Sequence, residues 1–171
     1  MGEVQSSEQK GSGTGIDALI EVVEFNLGGK RYALDIQLVR EIVVMMPITP
    51  IPRAPDFISG VLNLHGEITY IINLNKLLAV DDPAIRKDQK IIVFVPGAAK
   101  GNNVGIIVDN VSSVFQVQKE DIETMIDNSS SNLSNFVKGI IKLRSEEQDK
   151  SRKGLLIWID MEKIIEGMVP G

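Results

Sequence analysis

The sequence predicts a mostly β fold built from two similar small barrels of about five strands each, packed side by side. Three observations predict it: short segments where apolar and polar residues alternate, two-residue turns carrying glycine, and a second half that repeats the first. The chain of 171 residues is long enough to bury roughly 70% of its unfolded surface. With 43% hydrophobic and 24% charged residues it has the composition of a globular protein.

The elements follow in order. Met1 to about Gly15 contains Gly, Ser, Gln, Glu and Lys and almost nothing apolar, so residues 1–15 are expected to be a flexible tail ahead of a domain over 16–171. Val23, Phe25 and Leu27 alternate with Glu24 and Asn26 as a half-buried strand does. Gly28-Gly29 supplies the positive φ angles of a tight hairpin, and Arg31 to Ile36 returns. A short strand follows near Glu41 to Met45. Pro47, Pro50, Pro52 and Pro55 then forbid helix and central strand, leaving an extended connector, and Asp56 to Ser59 is read as a helical turn.

Gly60 to Leu64 and Glu67 to Asn73 read as a second hairpin turning on His65-Gly66, followed by a helix over Leu74 to Leu78. Ile91 to Val95 and Val104 to Val108 are near-continuous apolar runs, as in doubly covered strands. The link between them, Pro96 to Asn103, is too short for a parallel crossover, so they are expected to be antiparallel. Val114 to Gln118 is a strand, Glu120 to Met125 a helical turn and Asn128 to Asn135 a polar loop. Val137 to Leu143 and Leu155 to Ile159 are strands around a charged tip, Arg144 to Lys153, and a helix over about 160–166 closes the chain.

The repeat binds these elements together. Leu34, Ile36, Val39 and Ile42 recur as Ile106, Val108, Val111 and Val114. Gly60-Val61-Leu62-Asn63-Leu64 recurs as Gly139-Ile140-Ile141-Lys142-Leu143, and Ile72 to Leu78 as Ile159 to Ile165. The first barrel is expected over about 20–85 and the second over about 86–159, with their seam as the natural docking place.

Composition excludes several function classes. The chain lacks cysteine, which removes disulfides, thiol nucleophiles and zinc-thiolate sites and fits a reducing, cytoplasmic compartment. A net charge of -5 and 5% aromatics argue against nucleic acid and anionic membranes, and no apolar run approaches the ~20 residues of a membrane span. Gly28-Gly29-Lys30-Arg31 lacks the upstream glycine and following Ser/Thr of a phosphate-binding loop. One histidine leaves little for a triad or metal site, and Asp127 to Asn132 lacks the glycine and distal glutamate of a calcium loop. No catalytic residue, cofactor or metal is therefore expected.

Phe25-Asn26-Leu27-Gly28-Gly29, Val39-Arg40-Glu41-Ile42, Pro52 to Leu64 and Gly105-Ile106-Ile107-Val108-Asp109-Asn110-Val111 resemble the CheW coupling-protein family of chemotaxis, over about Val22 to Ile165. The resemblance implies two SH3-like β-barrels and a non-catalytic adaptor. It would link the cytoplasmic tip of methyl-accepting chemoreceptors to the regulatory domain of the histidine kinase CheA, recruited to membrane-associated arrays without inserting in the membrane. Ending just after the closing helix, the chain is expected to be free-standing, not fused to a receiver domain. The alternatives are a double-barrel scaffold for another chemosensory kinase or receptor system, and a nucleic-acid-binding barrel.

The resemblance also implies partner-binding residues: Val39 and Glu41 at the bend, Gly60 as the small residue admitting a partner, Asn63 and His65 at the hairpin, and Ile91 and Val114 as apolar groove positions. Ordinary core packing is the competing reading for the aliphatic ones. Glu41 is either a solvated face or a docking charge. The family's Asn-Leu-Arg-Gly turn is here Asn63-Leu64-His65-Gly66, which replaces a permanent forked cation with the chain's sole histidine. It is either a residue tolerant of positive φ in a tight turn or a mark of shifted partner specificity.

Overall fold

The computed structural model describes residues 19–80, 85–124, 136–143 and 154–168. Within them the strands are β1 (Leu19–Leu27), β2 (Lys30–Asp35), β3 (Val39–Val44), β4 (Ile58–Leu64), β5 (Glu67–Ile72), β6 (Lys90–Phe94), β7 (Val104–Val108), β8 (Asn110–Gln118), β9 (Ile122–Thr124), β10 (Val137–Leu143) and β11 (Gly154–Ile159). The helices are α1 (Leu74–Leu78) and α2 (Met161–Met168). The expected tail, the loop Asn128–Asn135 and the charged tip 144–153 lie outside the described residues.

The strands form two sheets, one of six strands in the order β8-β1-β2-β11-β10-β9 and one of five in the order β3-β6-β7-β5-β4. The expected boundary at residue 85 is corrected by this order. Hairpin β1–β2 belongs to the sheet of β8–β11, and β6–β7 to the sheet of β3–β5, so each half of the chain lends its first hairpin to the other. Both exchanged hairpins are seated by short parallel ladders, β2 on β11 and β7 on β5. Reading hairpins in sequence order missed this, because a parallel partner distant in sequence leaves no local signal.

The repeat itself holds, register by register. Ile42 faces Ile92 as Val114 faces Val23, and Ile71 faces Gly105 as Trp158 faces Ala33. Asn73 N–H donates to the Phe57 carbonyl at 2.6 Å, as Asp160 N–H does to Phe136 at 2.9 Å. The two helices are capped alike: Asn73 Oδ1 accepts from Lys76 N–H at 3.2 Å and Asp160 Oδ1 from Lys163 N–H at 3.0 Å. Two expected helical turns are shorter than expected: Ile58 and Ser59 already begin β4 after a turn closed by Ile58 N–H on the Pro55 carbonyl, and a single 3-10 turn over Lys119–Asp121 gives way to Ile122–Thr124, the edge strand β9 and sixth member of its sheet, Met125 lying outside the described residues. Both segments are held extended by pairing, β4 on β5 and β9 on β10, which overrides local preference.

Three apolar clusters explain the continuous apolar strands. One sheet encloses Val22, Ala33, Val117, Ile141 and Leu156, and the other encloses Leu62, Leu64, Ile71, Ile91, Val93 and Ile107. The largest cluster lies between the sheets and joins Val23, Phe25 and Leu34 of one to Ile92, Phe94 and Ile106 of the other, with Leu74, Leu78, Ile164 and Ile165 from the helices. Because side chains alternate along a strand, Val22 and Ile91 point into their own sheets while Val23 and Ile92 point across the seam. The exchanged strands are thus covered on both faces although β6 and β7 are antiparallel. Each large side chain buried there contributes about 1.5–3 kcal/mol.

Candidate partner-binding surface

Glu41 lies on β3, an edge strand paired, among the described residues, with β6 alone. Along β3 burial alternates, so Val39, Glu41 and Val43 are half-buried while Arg40, Ile42 and Val44 face outward, Val44 at 64% exposure. β4 is the opposite edge of the same sheet, and the hairpin that follows it carries His65 and Gly66 with φ of 55° and 83°. Both central residues are left-handed, the geometry of a two-residue hairpin turn. This hairpin brings the two edges together: His65 Nε2 lies 3.1 Å from Glu41 Oε1.

The contact is part of a polar chain along the rim. Arg40 Nη1 lies 3.7 Å from Glu67 Oε1 and Arg40 Nε 3.9 Å from Glu41 Oε2, while Asn103 Nδ2 donates to Glu67 Oε1 at 3.2 Å. Asn63 is exposed on β4 beside its cross-strand neighbour Ile68, and Tyr70 continues the exposed apolar face of β5. Exposed aliphatic groups bordered by a carboxylate and an imidazole make a surface suited to a protein partner.

Two of the expected site residues lie inside the fold. Gly60 is buried, its φ is +149°, and a Cβ on it would lie 2.3 Å from the carbonyl oxygen of Thr49. This close approach is made by the chain's own bridge between Thr49 and Val61, with N···O distances of 2.8 and 2.9 Å. Ile91 is wholly buried inside the five-stranded sheet and presents nothing to an outside molecule. Val39 packs partly against the inter-sheet cluster.

Val114 is on the other sheet. It is 49% exposed and lines a cleft of about 990 Å³ together with Ser112, Ser113, Phe115 and Leu143. Glu24 lines the same cleft, its side chain only 8% exposed, and accepts from Arg31 Nε at 2.7 Å. The seven residues therefore divide into a rim group of Glu41, Asn63 and His65, an inner group of Val39, Gly60 and Ile91, and Val114 apart.

Sequence reasoning missed Arg40, Glu67, Ile68 and Asn103, although the repeat carried a signal for the apolar positions. Ile42 and Val114 are equivalent and both exposed, at 39% and 49%, as are Ile68 and Leu155, at 57% and 61%. A further polar cluster, centred on Asp109, lies at the seam. Asp109 accepts from Gly28 N–H at 2.8 Å and Gln89 Nε2 at 3.0 Å, tying one hairpin to the opposite sheet. Arg86 also reaches Asp109, at 3.3 Å, and its pKa is raised chiefly by its hydrogen bond to Asp88.

A family model described as a CheW-like domain matches residues 21–168. The chain belongs to the CheW-like domain family. Among its relatives, the chemotaxis protein CheW of Thermotoga maritima is 29% identical over 88% of this chain and 91% of its own length. That of Klebsiella aerogenes is 32% identical over 85% and 81%. The CheW of Treponema pallidum is 35% identical over 63% of this chain, which spans 64% of that relative's length. The crystal structure of the scaffolding protein TtCheW from Thermoanaerobacter tengcongensis superposes with a TM-score of 0.68 at 33% identity, covering 82% of this chain and 88% of that one. The fold of this CheW-like chain is accordingly the expected one, mostly β with two SH3-like barrels. No helix among the described residues is long and apolar enough to cross a membrane.

Proposed function

We propose that this chain is a non-catalytic cytoplasmic adaptor that couples transmembrane chemoreceptors to the histidine kinase CheA. The observation that carries the reading is the CheW-like match, which runs through both barrels and the seam between them. The exchanged hairpins support it, since they make the two barrels one rigid platform able to hold two partners in fixed relation. The charge balance supports a protein partner over a polyanion.

The docking residues in this reading are Glu41, Asn63 and His65 on the rim of one barrel and Val114 on the other. Val39, Gly60 and Ile91 act beneath them by shaping the strands. The test is reconstitution: vesicles bearing receptor cytoplasmic tips, with CheA and this chain added. The kinase should sediment with the vesicles only when the chain is present. Sedimentation of the chain without the kinase would overturn the coupling and favour an adaptor for another kinase, an alternative that the histidine in the family's arginine turn favours.

A further inference from the structure

The sole histidine of the chain sits where the two edges of the five-stranded sheet meet. We propose that the His65–Glu41 contact is a pH-graded clasp, in which protonation of the imidazole tightens the junction between β3 and the β4–β5 hairpin and strengthens docking on that rim. For what docks, the proposal rests on the adaptor reading above; for the clasp itself it rests on geometry alone.

A neutral imidazole carries its proton on one nitrogen, so Nε2 donates to Glu41 Oε1 in one tautomer and only presents a lone pair to the carboxylate in the other. A protonated ring donates from both nitrogens, and the 3.1 Å contact becomes charge-assisted whatever the former tautomer. Histidine is the side chain whose charge ordinarily changes between about pH 5 and 8. A lysine or arginine here would hold the clasp shut throughout that range.

The surrounding charges determine what the proton does. From β3, Arg40 and Glu41 face the site, and from the start of β5 comes Glu67. With the imidazole neutral this group carries one net negative charge; with it protonated the charges balance and each carboxylate has a cationic neighbour. Glu41 is 28% exposed at the side chain and His65 60%, so the gain is that of a surface pair and not a buried one.

The clasp matters because of what it joins. β3 and β4 share no ladder in the sheet order, and closure between them comes from the Thr49–Val61 bridge and from side chains on the rim. The exposed apolar residues of this face, Ile42 and Val44 on β3 and Ile68 and Tyr70 on β5, lie on either side of that junction. Holding the junction shut fixes the face before a partner arrives, which reduces the ordering cost of binding.

The experiment is a calorimetric titration of the CheA regulatory domain into wild type, His65→Asn and His65→Arg at about pH 6 and pH 8. Asparagine keeps the positive φ of the turn without titrating. Wild type should bind about two- to fivefold more tightly at the lower pH, relative to the same ratio in His65→Asn, which is the range an exposed pair supplies. His65→Arg should bind at the acid-form affinity at both pH values. An unchanged pH ratio in His65→Asn would overturn the clasp while leaving the adaptor reading intact. Absence of binding in all three proteins would instead overturn the adaptor reading. The clasp is then decided by the chain alone: backbone amide resonances of Arg40 to Val43 should move with the imidazole titration, and constant resonances would reject it.

Discussion

Gly60 and Gly139 occupy equivalent places in the two barrels, each with a carbonyl oxygen of its own chain where a side chain would begin. A Cβ would lie 2.3 Å from Thr49 O at the first and 2.6 Å from Glu123 O at the second. Both sit at a register shift in their hairpins, β4 with β5 and β10 with β11, where a third segment crosses the strand. The repeat visible in the sequence is thus enforced by backbone packing.

Gly60→Ala should destabilise by about 2–4 kcal/mol, since it adds a backbone clash to a φ that side chains rarely adopt. Gly139→Ala should cost less, because only the clash applies there. Urea midpoints of the two variants check the order, and any binding defect of Gly60→Ala should track its loss of folded protein.

The exchanged hairpins predict that the two barrels unfold together. Trp158, the sole tryptophan, reports on the six-stranded sheet. Truncating Val93, which lies inside the five-stranded one, should move the Trp158 fluorescence transition by as much as the far-UV transition. Separate midpoints would mean that the barrels fold independently.

Phe94 is wholly buried between the sheets. Phe94→Ala should cost about 3–5 kcal/mol, through lost burial and the cavity left behind. Chemical denaturation measures it directly.

Asp35 holds two partners from the far end of the chain: Trp158 Nε1 donates to it at 2.7 Å and Lys138 Nζ at 3.2 Å, with the same ammonium 4.4 Å from the Trp158 ring centre. Asp35→Ala should destabilise by about 1–3 kcal/mol by leaving the indole N–H without its acceptor. A double-mutant cycle with Lys138→Met, read by denaturation, should show coupling.

Burial raises the pKa of Tyr32, whose ring stacks on Phe25 at 5.7 Å between centroids. The folded state therefore favours the neutral phenol over the unfolded chain. That stability is fully present below the ordinary tyrosine value of about 10 and is lost as pH rises through the higher folded value. In a Tyr70→Phe background, which leaves Tyr32 as the single tyrosine, phenolate absorbance should appear only above that ordinary value.

Local structure was legible where it follows from local chemistry. Val104 to Val108 and Val137 to Leu143 are strands at the residues expected, and Gly28-Gly29 and His65-Gly66 turn as their φ demands. The exchange of β1–β2 with β6–β7 was not legible, because alternation shows which face is apolar and not which sheet covers it. Continuous burial of Ile91 to Phe94 and of Val104 to Val108 was the trace of the second layer. In the candidate site, Glu41 and His65 could be singled out but not their contact, which depends on the sheet curling until its edges meet. That Ile91 and Gly60 are buried was not legible either, because a residue's letter does not separate a core position from a surface one.

The most direct test of the adaptor account is calorimetry of this chain with the CheA regulatory domain of the same organism. Saturable one-to-one binding is expected, weakened at least tenfold by Ile42→Glu on the exposed rim. Absence of heat and of complex, with both proteins shown to be folded, would contradict it.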